Sequence, residues 1–291
     1  MPAGECRDSK RKAGSNRILI PDIKTVELIR IGSLHINIFG VLAATGILAG
    51  RALALHRAKQ AGISREEMDD ALLYTLLAAF FFAHIAEAVF YHPEQIVRQG
   101  PVYLLKFWKG LSSFGGFFGG LFGFMFFVYK RKIREPLLFA ECILQGLVLG
   151  WIFGRLGCTI IFDHPGQLSD FFLAFEQPGG SRHNLGFYEF LFTLLVLFPA
   201  TFVLHRLQAR PGSYSAAVLI LYTPVRFFLD FLRLDAAQRG DVRYLGLTPG
   251  QYGSIVLFVL GVVIAYRLIK SPPPPAIVQP VKKNKKQKNK E

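Results

Sequence analysis

With 291 residues, 52% hydrophobic, 14% aromatic and only 19% charged, the chain is too apolar for an ordinary soluble α/β domain and reads as a polytopic membrane protein. Its formal net charge of +14 gathers at the two ends and in short clusters between apolar runs, a pattern suited to anionic lipid headgroups. No RNA- or DNA-binding motif interrupts those runs, so nucleic acid is not expected as a partner; Cys6, Cys142 and Cys158 lack metal-ligand spacing and form no CxxC pair, so neither a metal centre nor a disulfide scaffold is expected.

Residues 1–33 form a basic lead-in with Arg7, Lys10, Arg11, Lys12 and Arg17 but no apolar signal-peptide core, so the first span serves as its own insertion signal. The end of that lead-in, ILIPDIKTVELIRIGSLHI, is apolar enough to lie at a membrane surface. A spanning helix needs about 20 apolar residues, and the first such run covers about 36–55, followed by a basic turn with His56, Arg57, Lys59 and Arg65. The second, about 70–91, holds His84 and Glu87 three apart on one face, either as a buried polar pair or as a proton relay or substrate contact. After a loop with His92, Pro93, Pro101 and Trp108 comes GLSSFGGFFGGLFGFMFFVYK. Its Gly115, Gly116, Gly119, Gly120 and Gly123 stand at small-xxx-small spacing, which lets two helices approach closely. At Ser113 to Gly116 a rival reading is exposed backbone N–H groups facing a phosphate or lipid.

Lys130, Arg131, Lys132 and Arg134 close that segment, and Pro136 opens the fourth run, about 137–161, which leads into WIFGRLGCTIIFDHPG at 151–166. Arg155 has no acid near it in sequence, and an arginine at membrane depth costs roughly 2.5–3.5 kcal/mol on translocon scales, so it needs a snorkelling route, a partner or an anionic ligand. Gly154 and Gly157 flank it without side-chain bulk, and Asp163, His164, Pro165 and Gly166 read as a turn. The following connection, about 162–183, is polar and carries Asp163, Asp170 and Glu176. The fifth span, about 184–205, opens within RHNLGFYEF, with Arg182, His183, Tyr188 and Glu189 in or just outside its first two turns.

On the sixth span, about 214–232, Arg226, Asp230 and Arg233 stand at i, i+4 and i+7 on one face. Asp230 can neutralise one arginine at a time, so the stripe either keeps positive charge for an anion or is a salt-bridged seam between helices. The last span follows DAAQRGDVRYLG and starts at LTPGQ, with Thr248 as N-cap and Pro249 at the first helical position. Residues 271–291 are a proline linker and a lysine-rich tail expected to be disordered and drawn to anionic lipid.

The expected architecture is thus an all-α membrane protein of about seven transmembrane helices over 34–270 with a small extracytoplasmic loop region. The basic turns after the first, third and fifth spans and the C-terminal tail fall on one side, cytoplasmic by the positive-inside rule. Arg155, the Asp163 loop, the approach to His183 and the 233–247 loop gather at the opposite face, where the basic N-terminus also falls.

GRLG at 154–157, the RH…YE pattern at 182–189, the stripe at 226–233 and LTPGQ resemble, in order and spacing from about residue 20 to 270, prolipoprotein diacylglyceryl transferase of the bacterial inner membrane. The resemblance implies transfer of the diacylglyceryl group of phosphatidylglycerol to the lipobox cysteine thiol of a preprolipoprotein signal peptide, with release of glycerol 1-phosphate and no cofactor. It also implies a multi-pass protein among membrane lipids, its active face toward the periplasm. It assigns the phosphatidylglycerol headgroup to Arg155 and the phosphate or leaving group to Arg226 and Arg233, with Asp230 orienting them; Asp163, Gly154, Gly157, Tyr188 and Glu189 are further substrate-binding candidates, Arg226 is the catalytic candidate, and His183 and His164 are candidate bases at positions outside the family pattern. The chain departs from the pattern at Phe39 in place of a tyrosine, Phe114 where a histidine precedes the glycine pair, Cys158 in place of an asparagine, and Asp163 and Asp230 in place of glutamates. Either His164 or His183 then takes up general-base work, or the chain binds lipid or handles lipoproteins with a lost or altered reaction. A further reading makes Cys158 an acyl-accepting nucleophile with His164 as base. Transport would call for matched broken helices, which the sequence lacks.

Overall fold

The computed structural model describes residues 20–21, 27–31, 34–106, 110–163, 165–207, 209–234 and 242–270. The basic lead-in before residue 20, His164 and the 271–291 tail lie outside the described residues. Each apolar run becomes a helix whose ends are set by local chemistry. Helix α1, Ile38–Gln60, starts where the Asn37 side chain accepts from Gly40 N at 2.8 Å. Helix α2, Arg65–Ala86, starts earlier than its apolar run because Ser64 and Glu67 form a reciprocal capping box, and it widens into a π turn over Glu87–Tyr91. A short α3, Pro93–Gln99, and a 3-10 turn at Pro101–Leu105 lead to α4, Ser113–Arg131, and α5, Pro136–Ile161.

The fifth span is α6, Leu185–Phe192, a π turn at Thr193–Leu197, and α7, Phe198–Arg206. Pro199 has no N–H for the carbonyl four residues back and its ring crowds that turn, which accounts for the widening before it. Helix α8, Ser213–Leu229, tightens into a 3-10 turn at Asp230–Leu232, and α9 covers Pro249–Lys270. Two small antiparallel pairs complete the fold: β1, Glu27–Ile31, with β2, Leu34–Asn37, and β3, Pro165–Leu168, with β4, Arg182–Asn184. The segment expected to lie flat on the membrane therefore contains a hairpin. Ile20 bridges Phe175, which sets the approach to α1 at the same end as the connection 162–184.

Six stretches are long and apolar enough to cross a membrane: 38–60, 65–91, 136–161, 185–206, 213–232 and 249–270. The seventh expected span, α4, is 19 residues long, but its five glycines dilute its hydropathy. It packs antiparallel along α2, with Gly119 opposite Ala78 and Gly123 opposite Tyr74. Large apolar side chains such as Leu48, Phe122 and Val256 face outward, while Asn184, Glu189, Asp230 and Gln251 are wholly buried. This inverted polarity is what a lipid solvent selects, and the protein is an all-α membrane protein.

Three antiparallel helix pairs, α1 with α5, α2 with α4 and α8 with α9, form most of the bundle among the described residues, and the span α6–α7 packs between α5 and α8. Small residues permit the contact. A Cβ on Gly50 would lie 2.6 Å from Gly146 O and one on Gly46 2.7 Å from Gly150 O, with backbone on the far side that cannot yield. Gly50→Ala is therefore expected to destabilise the protein by about 1–3 kcal/mol through overpacking, read as a lower thermal unfolding midpoint in detergent; an unchanged midpoint would show that α1 and α5 have room to part. Of the N–H groups at Ser113 to Gly116, two are taken up inside the protein. Gly115 N donates to Ser112 Oγ and Gly116 N to Ser112 O, and Gly115 is pressed on the α2 backbone at Phe82. His84 is buried, with Nδ1 3.3 Å from Gly110 O, and Glu87 packs against the same glycine and lies 3.5 Å from His92.

Candidate functional site

Arg155 lies two turns from the end of α5, and the acid it lacks in sequence arrives from the next span. Its Nη2 is 3.0 Å from Glu189 Oε2 on α6, with the two side chains 3% and 0% exposed. Sequence alone leaves Arg155 unpaired; the fold pairs it across thirty-four residues. The pair is ionic rather than a directed hydrogen bond, since neither Nε nor Nη2 of Arg155 has an aligned acceptor. The guanidinium also lies 4.4 Å from the centre of the Trp151 ring one turn earlier, which fixes its plane.

Glu189 is shared. Arg226 Nε on α8 is 3.7 Å from its Oε1, and the Tyr222 hydroxyl donates to its Oε2 at 2.5 Å. Arg226 Nη1 also pairs with Asp230 Oδ1, and Arg233 Nε approaches the same oxygen at 2.8 Å. One carboxylate oxygen thus contacts both arginines, while its single negative charge can neutralise only one of them. The tightening of the chain into a 3-10 turn at Asp230–Leu232 brings Arg233 within reach. Asp230 Oδ2 accepts from the Thr248 hydroxyl, and Arg243 Nη2 donates to the Asp230 carbonyl at 3.3 Å. Thr248 doubles as the cap of α9: Gln251 N donates to its Oγ1 at 3.1 Å and Thr248 N to Gln251 Oε1 at 2.9 Å.

Three guanidiniums, on Arg155, Arg226 and Arg233, therefore share two carboxylates, on Glu189 and Asp230, with Arg243 at the Asp230 carbonyl. A buried cluster so rich in guanidinium groups suits an anionic ligand.

The connection 162–184 folds over this cluster. Gly166 bridges Arg233, and a Cβ there would meet His183 Cβ at 2.7 Å and Leu232 O at 2.9 Å, so only glycine lets the strand pass. Asn184 Nδ2 donates to Thr159 O at 3.0 Å, tying β4 to the turn of α5 beyond Arg155, while its Oδ1 accepts from Phe187 N. His183 stands beside that anchor. Its Nδ1 is 2.8 Å from the Tyr188 hydroxyl, which lies 3.4 Å from Leu173 O. Burial pushes the His183 pKa below the ordinary histidine value.

The other expected residues divide. Gly157 packs against Phe39, and Gly154 faces open space, so neither simply makes room around the guanidinium. Asp163 follows the left-handed cap at Phe162 and donates its N–H to Cys158 O at 3.2 Å. His164 lies outside the described residues. Among the described residues, no three His, Cys, Asp or Glu side chains are grouped to hold a metal ion. Sequence reading missed Tyr222 and Trp151. Both lie one helical turn before an arginine already singled out, so extending each charged stripe by four residues finds them.

The three positions read in the sequence as departures, Phe39, Cys158 and Phe114, each pack against glycine: Phe39 sits on Gly157, Cys158 against Gly186, and Phe114 fills the gap at Gly250 and Gly253 beside Asp230 and Thr248.

Comparison with known proteins bears on the same residues. The family profile described as prolipoprotein diacylglyceryl transferase matches residues 26–267. Relatives named phosphatidylglycerol–prolipoprotein diacylglyceryl transferase include one from Janthinobacterium sp. (strain Marseille), 31% identical over 252 residues, which covers 81% of this chain and 94% of the relative. Another, from Chromohalobacter salexigens, is 27% identical over 248 residues, 84% of this chain and 92% of the relative. A third, from Vibrio cholerae, is 29% identical over 252 residues, 84% and 91% respectively. A match that takes in every helix from α1 to α9 but the last turn, and with them all three arginines and both acids, places the chain in the prolipoprotein diacylglyceryl transferase family.

Proposed function

We propose that this protein transfers the diacylglyceryl group of phosphatidylglycerol to the lipobox cysteine thiol of a preprolipoprotein, releasing glycerol 1-phosphate. In that reaction a C–S bond forms at the glyceryl carbon, its C–O bond to phosphate breaks, the thiol proton passes to a base, and a phosphodiester monoanion becomes a phosphomonoester dianion. The observation that carries the reading is the buried cluster of Arg155, Arg226 and Arg233, in which Nε and Nη2 of Arg155 have no aligned acceptor among the described residues. Guanidinium groups gathered in this way favour the dianion over the monoanion, which is stabilisation of the departing group rather than uniform binding. Arg155 would hold the headgroup phosphate in the forked geometry that suits arginine, with Arg226 and Arg233 on the leaving group. Asp230 orients Arg226 and Arg233, and Glu189, with no exposed surface, is a positioning residue for Arg155 and Arg226.

His183 is the proposed base. If the Tyr188 hydroxyl donates to Leu173 O, it accepts from His183 Nδ1–H, which leaves the lone pair on Nε2. The lowered pKa keeps His183 neutral at neutral pH, so activity is lost as pH falls through a value below the ordinary 6.5. His183→Gln is expected to lower the rate by about 10²–10⁴-fold and to remove that acid limb; a persistent limb would move the base elsewhere. The basic turns after α1, α4 and α7 would face the cytoplasm and the arginine cluster the periplasm.

Purified protein with phosphatidylglycerol and a lipobox peptide is expected to yield lipidated peptide and glycerol 1-phosphate in equal amounts. Lipid binding without either product, beside an active family member, would favour a non-catalytic lipid-binding role.

A further inference from the structure

At the end of the bundle away from Arg155, helix termini meet around a cavity: α1 and α7 end there and α5 and α8 begin. Its volume is about 180 Å³, roughly six times the ~30 Å³ share of a liquid water. Glu141 on its wall and Arg155 lie on the same helix, fourteen residues and so about 21 Å apart along the axis, which makes this a place separate from the arginine cluster.

Arg57, Gln145 and Tyr214 line the cavity and are 8%, 9% and 1% exposed. Each has a polar atom with no hydrogen-bond partner: Arg57 Nε, Gln145 Oε1 and the Tyr214 hydroxyl. Arg57 otherwise reaches only Gln60 Oε1, at 3.1 Å, and the Phe202 ring, 6.0 Å from its centre. The acid on the wall does not compensate it. Glu141 Oε1 is taken up by Gly212 N at 3.0 Å, Ser215 N at 2.8 Å and Ser215 Oγ at 3.3 Å, where it caps the start of α8. Two buried donors, one of them charged, and one buried acceptor are thus left facing one space, an arrangement that costs stability unless something fills it. The complement is a molecule with anionic oxygens for Arg57 and Tyr214 and a hydroxyl for Gln145. Arginine at such a position selects phosphate. A neighbouring cleft shares Ala61 and Leu138 with the cavity and carries Arg131, Lys132 and Arg134 beside Glu67 and Glu135.

We propose that this cavity is a second anion site, which takes a phosphate ester bearing a free hydroxyl, the chemistry shared by a polyol-phosphate lipid headgroup at that membrane face and by free glycerol phosphate. It stands whether or not the transfer reaction does.

The test uses the full-length protein. In detergent it is titrated with glycerol 3-phosphate, and in phosphatidylcholine nanodiscs its unfolding midpoint is followed with and without phosphatidylglycerol. Arg57→Gln is expected to weaken the response at least about tenfold, Tyr214→Phe several-fold, and Arg155→Gln to leave the Arg57-dependent part intact. Saturation by glycerol 3-phosphate identifies a soluble ligand; a response confined to phosphatidylglycerol nanodiscs identifies the headgroup. Tyr214→Phe removes an oxygen with no hydrogen-bond partner among the described residues, so the variant is expected to fold and decides the matter should Arg57→Gln not fold. No response to either probe, or one indifferent to Tyr214→Phe and Arg57→Gln, overturns the proposal and leaves a water-filled void.

Discussion

Arg155→Lys is expected to lower diacylglyceryl transfer by about 10²–10³-fold while the protein keeps nearly its full thermal stability. The two halves of that expectation come from different parts of the side chain. Stability depends on a positive charge near Glu189 Oε2, now 3.0 Å from Nη2, and on a cation over the Trp151 ring. A lysine ammonium supplies both. Catalysis in the proposed reaction depends on what arginine has beyond charge, namely planar N–H groups, of which Nε and Nη2 find no aligned acceptor inside the protein. Lysine offers a compact point charge and cannot hold two phosphate oxygens in a fixed plane while paired to Glu189. Initial rates with phosphatidylglycerol and a lipobox peptide, beside unfolding midpoints, check it. Wild-type turnover in Arg155→Lys would remove Arg155 from phosphate binding.

The helices were legible because lipid makes the hydrophobic period long and plain. The six helices that qualify as spans, and α4 beside them, fall close to the apolar runs. Two boundaries differ by five residues: α1, expected to end near residue 55, runs to Gln60, and α2, expected from about residue 70, starts at Arg65 because the charges in REEMDD hide a helical turn that the Ser64–Glu67 capping box sets. The site was legible as a set of charges but not as a network. Arg226, Asp230 and Arg233 share a stripe, so their meeting follows from helical spacing. The partnership of Arg155 with Glu189 joins two spans through a connection of irregular chain, and no local period carries it. For the same reason Phe39 and Phe114 read as isolated positions in the sequence. Only in three dimensions is each found seated on a glycine of a neighbouring helix, Gly157 and Gly253.

Glu189→Gln is expected to destabilise the protein by about 3–5 kcal/mol and to abolish transfer, although it changes one atom in a side chain that no substrate can reach. The amide oxygen of the substituted side chain could still accept from Tyr222, so the loss is one of charge. Arg155 would lose the acid it pairs with among the described residues, and Arg226 would keep only Asp230, so the bundle would hold one more unbalanced positive charge than before. The Arg155→Met/Glu189→Gln double variant separates the consequences. Removing both charges restores the balance at Arg226, Arg233 and Asp230, and a buried ion pair replaced by apolar volume is often neutral or stabilising. Most of the lost stability is therefore expected to return, with a coupling energy of about 1–3 kcal/mol in the double-mutant cycle. Transfer is expected to stay at background, because the phosphate-holding fork has gone with Arg155. Additive destabilisation, with each change costing the same in either background, would show that the two side chains are not coupled and that Glu189 serves Arg226 alone.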